Sequence, residues 1–488
     1  VDFVLFVVGA HVAVSVDESK VLEICKKITI LISMACIAGV MVYRRLTVNM
    51  LLKLFGKGYK DQYLRIKSLT NASELMQFQT DHIAALLLHA DRNVPYYSNL
   101  FSDEGFLNGG EFSPSAFERI PLLTKKIVQE KLANLTATDI QKRKWFYVLS
   151  GGSTGEPTRF IQDNVFTKWG HATSHYYYDD MLGINELAAK KVLLWGAPRD
   201  TFRGTIGTKA TIENWLNNTV VLNSFRMTQN DLERFIRIIN ARKPELIRGY
   251  AGPLYELCNY AESKQIALHT PKRLVSAAET LTKEMREMME GAFGTKVYNH
   301  YGAREITNIA GECRDGRMHV FSFWNYLEVL DEKNRPVQTG QEGKVVLTNL
   351  FNCSMPLIRY EIGDTAVLGP KKCTCGNPLP TLEKLTGRII ERFLLDDGTI
   401  IPGEYFIYLI GIVCNREHIK RYQVIQADYK EIEILYVPKG ELSDSERGDI
   451  ESKIRIVMPG CIVKWRRVDD IPATETGKYI ATKSLVWN

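Results

Sequence analysis

The stretch SGGSTGEPTRF, residues 150 to 160, sets Gly151, Gly152 and Gly155 among the hydroxyls of Ser150, Ser153 and Thr154. Glycine lets backbone N–H groups approach an anion closely, so these residue types suit a phosphate grip. The stretch is not a P-loop: the G-x-x-x-x-G-K-[ST] spacing is absent, and no lysine follows the last glycine. A phosphate grip here needs positive charge from elsewhere in the chain, whereas a plain turn needs none. Four later stretches offer chemistry of their own. YGAREI (301 to 306) places Glu305 after a Tyr-Gly turn, and RYEIGD (359 to 364) ends on Asp364. TGR (386 to 388) ends on Arg388, and TETGKYI (474 to 480) holds Lys478. Each alone has an ordinary reading: a solvated glutamate, a turn aspartate, a linker, an inert lysine.

Their order and intervals carry more than any one of them. A Gly-rich hydroxyl loop, Tyr-Gly-x-x-Glu, Gly-Asp, Gly-Arg and a late Gly-Lys, in that sequence, resemble the adenylate-forming superfamily of acyl-CoA ligases. Within it the chain resembles the phenylacetate–CoA ligase branch, and especially the CapK group associated with capsule polysaccharide loci. HADRNVPYYSNLF, residues 89 to 101, is similar to that branch's amino-terminal helix and turn, and the resemblance covers about residues 47 to 488.

The resemblance implies a reaction. A carboxylic acid attacks the α-phosphate of ATP, giving an acyl-adenylate and pyrophosphate, and CoA or a phosphopantetheine carrier thiol then takes the acyl group. An amine or sugar acceptor in surface polysaccharide is the alternative, and a non-catalytic nucleotide-binding scaffold is the third reading. On the first reading Ser150, Ser153 and Thr154 and the amides of Gly151, Gly152 and Gly155 hold the β- and γ-phosphates, and Glu305 binds Mg²⁺. Asp364 takes the ribose hydroxyls, Arg388 assists at ribose or phosphate, and adenine lies near Ala278, Glu279, Tyr301 and Gly302. Lys478 bridges the acid's carboxylate and the α-phosphate, supplying the charge the glycine loop lacks.

Two positions depart from the superfamily. Arg304 stands where it has threonine, and either contacts a phosphate or fills the turn. Ile389, Ile390 and Glu391 replace the acidic pair at the hinge of the mobile carboxyl-terminal domain. The hinge change bears on acyl transfer more than on adenylation.

The elements that must position these residues follow from periodicity. KVLLW, ELIRGY, RLVSAAE and KVYNHYGARE read as strands ending in functional turns. NDLERFIRIINARKPE reads as a helix with a capping box at Asn230 and Glu233 and an apolar face of Leu232, Phe235, Ile236 and Ile239. Strands alternating with helices imply an α/β fold with mixed sheets and ligands at strand ends. A strand-only pattern from about residue 322 adds a small β-rich subdomain. YQVIQ, EIEILYV and CIVKW with a helix over 443 to 457 form an α+β terminal domain. The expected domains are an apolar extension (1–46), an adenylation domain (47–387) and a lid domain (388–488). Trp195 and Tyr250, at strand ends, are candidates for an aromatic-walled acid pocket, although core packing explains them equally well.

Composition narrows the classes further. The chain has 488 residues, 45% hydrophobic and 24% charged, with a net charge of +6 and no basic run interleaved with aromatics. It is therefore globular and multidomain, and nucleic acid is not an expected partner. Nine cysteines without a repeated spacing fit a reducing compartment and cytoplasmic location. Residues 28 to 43, ITILISMACIAGVMVY, are apolar and bracketed by Lys26–Lys27 and Arg44–Arg45. They read as a membrane anchor with the enzyme on the cytoplasmic face, as a buried or interfacial helix, or as a translation artefact. Relatives in the branch are often dimers, so the resemblance also implies a homodimer. Finally, Cys313, His319, Cys373 and Cys375 supply three thiols and an imidazole, the donor set of a structural zinc site. The alternative is a tight C-x-C turn with reduced thiols and an ordinary strand histidine.

Overall fold

A computed structural model describes residues 59–104, 117–150, 158–196, 214, 217–225, 227–386, 392–410, 418–471 and 480–486, with the strands Phe3–Val7 (β1) and Ala10–Val14 (β2). Gly151–Gly155, Arg388 and Lys478 lie outside the described residues, as does the apolar stretch 28–43. Among the described residues no helix is long and apolar enough to cross a membrane.

The strands Trp145–Leu149 (β3) and Arg159–Asp163 (β4) form an antiparallel hairpin. An 11-stranded sheet organises the rest of the large unit. Its parallel part comprises Lys191–Trp195 (β5), Thr219–Asn223 (β6), Leu246–Tyr250 (β7), Arg273–Ala277 (β8) and Val297–Ala303 (β9), in the order β6-β5-β7-β8-β9. From β9 it continues antiparallel through Thr307–Glu312 (β10), Met318–Val320 (β11), Asn325–Leu330 (β12), Glu342–Asn349 (β13), Tyr360–Leu368 (β14) and Thr381–Thr386 (β15). The β-rich region is thus not a detached layer: β15 pairs with β11, so its strands extend the central sheet edge to edge.

Helices Gln229–Arg242, Ala251–Ser263 and Lys283–Phe293 connect the parallel strands. Their apolar stripes bury Phe235, Ile239, Leu254, Leu257, Met289 and Phe293 against one face of the sheet. The first of these starts one turn-half earlier than the sequence suggested. Its capping box is Thr228 with Asp231, not Asn230 with Glu233. Both pairs have the right spacing, and the hydrophobic staple decides between them. Only with Thr228 as cap do Met227 and Leu232, both buried in one cluster, fall at the positions that pack together across the helix start. Glu233 instead accepts from Tyr260 Oη at 2.9 Å.

The chain runs from β5 outward to β6 and then returns to β7 on the other side of β5. The sheet therefore has a topological switch point between β5 and β7, where open α/β sheets form a crevice at the carboxyl ends of their strands. The tail begins with Arg392–Leu394 (β16) and Ile400–Pro402 (β17). A four-stranded sheet follows, made of Ile419–Asp428 (β18), Glu431–Pro438 (β19), Ile462–Arg467 (β20) and Thr482–Ser484 (β21). Helix Asp444–Val457 packs on it, started by a capping box of Ser443 and Glu446.

Candidate active site

In the sequence the glycine-rich stretch joins β3 to β4. The base of the loop is closed by Ser150 N–H donating to Thr158 O at 2.9 Å, and Ser150 is buried. Gln162 on β4 donates its amide to the carbonyls of Arg304 (2.8 Å) and Glu305 (3.2 Å). The hairpin is thereby fastened to the turn that carries Glu305. That glutamine had no signal in the sequence, because its partners lie more than 140 positions away.

Tyr301, Gly302, Arg304 and Glu305 occupy the β9–β10 hairpin. Gly302 is required by a close approach: a Cβ there would sit 2.3 Å from the carbonyl oxygen of Thr307. Glu305 is buried, and Tyr360 Oη donates to its Oε1 at 3.3 Å. Tyr301 Oη donates to Asp364 Oδ2 at 2.7 Å. Asp364, whose ordinary reading from sequence was a turn residue, lies within β14. There the ladder places Lys344 opposite Thr365 and Val346 opposite Glu361, so Ile362, Gly363 and Asp364 face Val345 alone. Gly363 takes φ +91° within this bulge. A bulge of this kind re-aims a strand side chain, and here it accompanies the turn of Asp364 toward Tyr301. Replacing Tyr301 by phenylalanine removes one donor to the carboxylate. On the nucleotide-site reading the KM for ATP is expected to rise about fivefold with kcat little changed, which steady-state kinetics checks.

Ala278 and Glu279 follow β8 directly. Ala278 has φ +69°, a left-handed conformation that disfavours a side chain and that recurs at ligand-binding turns. Glu279 is already engaged, accepting from the Gly252 N–H at the start of helix Ala251–Ser263 at 2.5 Å. Trp195 and Tyr250 are the last residues of β5 and β7, on either side of the switch point, with ring centroids 4.3 Å apart. The structure therefore brings the described candidates to one edge of the sheet, the carboxyl ends of β5, β7, β8 and β9. Arg359, beside the Asp364 motif, has a different task. It is 2% exposed, forks onto Glu328 (2.9 and 3.1 Å) and donates to the carbonyls of Glu118 and Ile120, which makes it a structural clamp.

The four zinc candidates also converge. Their ligand atoms all lie within 4.8 Å of one another. Cys313 Sγ is 3.9 Å from Cys373 Sγ, and Cys375 Sγ is 3.4 Å from His319 Nε2. A tetrahedral zinc with ordinary Zn–S and Zn–N bonds gives about 3.8 Å and about 3.5 Å for these separations. His319 Nδ1 donates to Leu379 O at 3.1 Å, leaving Nε2 free to turn its lone pair toward the thiols. Cys313 lies just after β10, His319 on β11, and the C-x-C pair in the β14–β15 connection, so the cluster ties that connection to the sheet.

Comparison with known proteins bears on this arrangement. Residues 393–484 match the family model described as the CapK C-terminal domain. The chain is 23% identical to Protein CapK of Staphylococcus aureus over 90% of its own length and 96% of that protein. It is 25% identical to the phenylacetate-coenzyme A ligase of Thermus thermophilus, over 72% of this chain and 78% of that enzyme. The chain is thus similar over most of its length to adenylate-forming enzymes and their CapK relatives. Solved structures of 2-hydroxyisobutyryl-CoA ligase share its fold. The complex with 2-HIB-AMP and CoA in the thioesterification state has a TM-score of 0.55 at 18% identity, covering 85% of this chain and 91% of that one. An open conformation of the same ligase has a TM-score of 0.52 at 19% identity, covering 83% and 90%. In this chain the large sheet and the region matching the CapK C-terminal domain are both present, and the sheet edge carries the Tyr301–Asp364 and Glu305–Tyr360 pairs.

Proposed function

We propose that this protein activates a carboxylic acid with ATP and passes the acyl group to the thiol of CoA or of a carrier. A carboxylate oxygen forms a bond to the α-phosphorus while the bond to pyrophosphate breaks; the thiol sulfur then displaces AMP from the acyl carbon. One observation carries the reading: Asp364, held by Tyr301, and Glu305, held by Tyr360, stand at the sheet edge beside the hairpin bearing the glycine-rich loop. Asp364 accepts from the ribose hydroxyls, and the turn at Ala278 with the Tyr301 ring borders the base. Glu305 offers a hard carboxylate oxygen suited to Mg²⁺, which when bound neutralises the phosphates. The acid lies at the switch point against Trp195 and Tyr250. Lys478 meets the carboxylate and the α-phosphate, and Arg388 assists from the boundary at residues 387–388 between the two domains.

The overall likeness to CapK and the unusual Ile389–Ile390–Glu391 segment favour a second version of the final step, with an amine or sugar acceptor. Zinc held by Cys313, His319, Cys373 and Cys375 serves structure in either case. The test is pyrophosphate release over a panel of amino, aryl and fatty acids, with and without CoA. Release is expected to need acid, ATP and Mg²⁺ together. Glu305→Gln, which keeps an acceptor for Tyr360 and loses the charge, is expected to lower it about a hundredfold. Release that ignores the acid, or that Glu305→Gln leaves unchanged, defeats the reading.

A further inference from the structure

Every residue of β7 is buried, and one of them is an arginine. Strand alternation splits the five: Ile247 joins the core under the connecting helices, while Leu246 joins the core on the opposite face. Arg248 and Tyr250 share that opposite face with Leu246. The neighbours of Arg248 on the flanking strands are Leu193 and Val275, both apolar. Its guanidinium lies 5.2 Å from the Trp195 ring centroid, and its Nη2 is 3.4 Å from His300 Nδ1. The side chain is therefore directed toward the switch point, about 6.6 Å deeper along the strand than Tyr250.

Arg248 is 7% exposed, and among the described residues its charge has no carboxylate counterion. Its polar neighbours, His300 and the Tyr178 hydroxyl, are both held neutral by burial. Its Nε has no hydrogen-bond partner. Arginine has no acceptor, so His300 Nδ1 must accept and the ring proton stays on Nε2, which also lacks a partner. The amide of nearby Asn308 is already committed to Gly170 O and the Ser174 hydroxyl. Burial, with Arg248 adding to it, holds His300 well below its ordinary pKa, so it does not add a second charge. Arg359 shows what a structural buried arginine looks like in this chain: a two-point fork on a glutamate. A lone buried cation is strongly destabilising, and a bound anion reverses that penalty.

We propose that the acid activated by this protein carries a second anionic group, a carboxylate, sulfonate or phosphate ester, which docks on Arg248. The proposal rests on the ligase reading for the placement of the acid at the ends of β5 and β7. The reacting carboxylate lies toward the sheet edge, and the acid's tail reaches down past Trp195 and Tyr250 to the guanidinium. A site built around such a donor discriminates strongly against acids that leave it unpaired.

Calorimetric titration of the full-length protein tests this without turnover. The probes are adipate, pimelate and 4-carboxyphenylacetate, each set against its mono-amide. The diacid of at least one pair is expected to bind at least tenfold more tightly. Arg248→Met is expected to erase that difference and to leave the melting temperature of the ligand-free protein unchanged or raised, with Arg248→Lys retaining part of the preference. No pair separated by more than twofold, a preference that survives in Arg248→Met, or equal loss of diacid and mono-amide binding overturns the proposal. A lowered melting temperature in both variants, without a change in preference, assigns Arg248 to packing against Trp195 and overturns it too. Pyrophosphate release is scored separately. Diacid binding without release defeats the ligase reading and leaves the anion site standing, whereas release with monoacids and no diacid preference does the reverse.

Discussion

Replacing Lys478 by alanine is expected to slow acid-dependent pyrophosphate release by about 10²- to 10³-fold while the KM for ATP barely moves. The reasoning is electrostatic. The described residues closest to the proposed nucleotide, Glu305 and Asp364, are both carboxylates, and the glycine-rich loop contains no lysine. Adenylation brings a carboxylate onto a polyphosphate, so negative charge crowds at the α-phosphate as the new bond forms. A cation that reaches this point only as charge develops acts on kcat rather than on ground-state binding. The tail is anchored where such a lysine requires it. Gln423 donates to Ile480 O at 2.7 Å, Val424 N–H donates to Ala481 O at 2.9 Å, and β21 pairs with β18. Ile480, two positions after Lys478 in the sequence, is therefore a fixed point. Thioester formation from chemically supplied acyl-adenylate is expected to stay within about threefold of the parent, because the carboxylate and phosphate are already joined. An equal fall in both half-reactions assigns Lys478 to folding or domain docking; no fall in either removes it from the chemistry.

Four of the five parallel strands were legible because each is a short run ending at a turn, and KVLLW matches β5 residue for residue, whereas β6, Thr219–Asn223, was not read from the sequence. The convergence of Cys313, His319, Cys373 and Cys375 was legible from donor chemistry, since three thiols and an imidazole have few other uses together. What escaped the sequence was pairing across long separations and local ladder irregularity. Tyr301 and Asp364 stand 63 positions apart, and the bulge that re-aims Asp364 depends on the register of β13 against β14. The capping box was misplaced because two pairs share the same spacing and only Met227, from the preceding segment, separates them. Arg248 escaped because a basic residue within LIRGY looks like strand-edge decoration until all five residues prove buried. The extension of the central sheet by the β-rich region was hidden for a related reason: β11, three residues long, makes the connection to β15.

Substituting Cys313 by serine is expected to take bound zinc from about one per chain to near zero and to lower the melting temperature by roughly 4 °C or more. On the zinc reading four donors on three separate segments share one ion, so losing a buried ligand opens the whole set rather than weakening one bond. The segment released is the β14–β15 connection. It is also held by Thr374 Oγ1 donating to Asp315 Oδ2 at 2.8 Å, by Asn377 donating to Tyr176 Oη at 2.9 Å, and by bonds to Pro370 O, Leu379 O and Pro380 O nearer its ends. Lys371 and Lys372, both on this connection beside Cys373, make a local readout possible. Chelation of the parent protein is expected to accelerate tryptic cleavage there well before cleavage elsewhere, and added zinc to restore protection. Cys461→Ser serves as the control, because that buried thiol lies in the carboxyl-terminal core and is not among the four. Retention of zinc by both Cys313→Ser and Cys375→Ser, or a parent protein that purifies without metal and ignores chelator, reduces the cluster to neighbouring reduced thiols. Because the cluster ties down the connection immediately after the strand that carries Asp364, zinc loss is also expected to raise the KM for ATP more than it lowers kcat. A structural ion placed elsewhere in the fold predicts no such split.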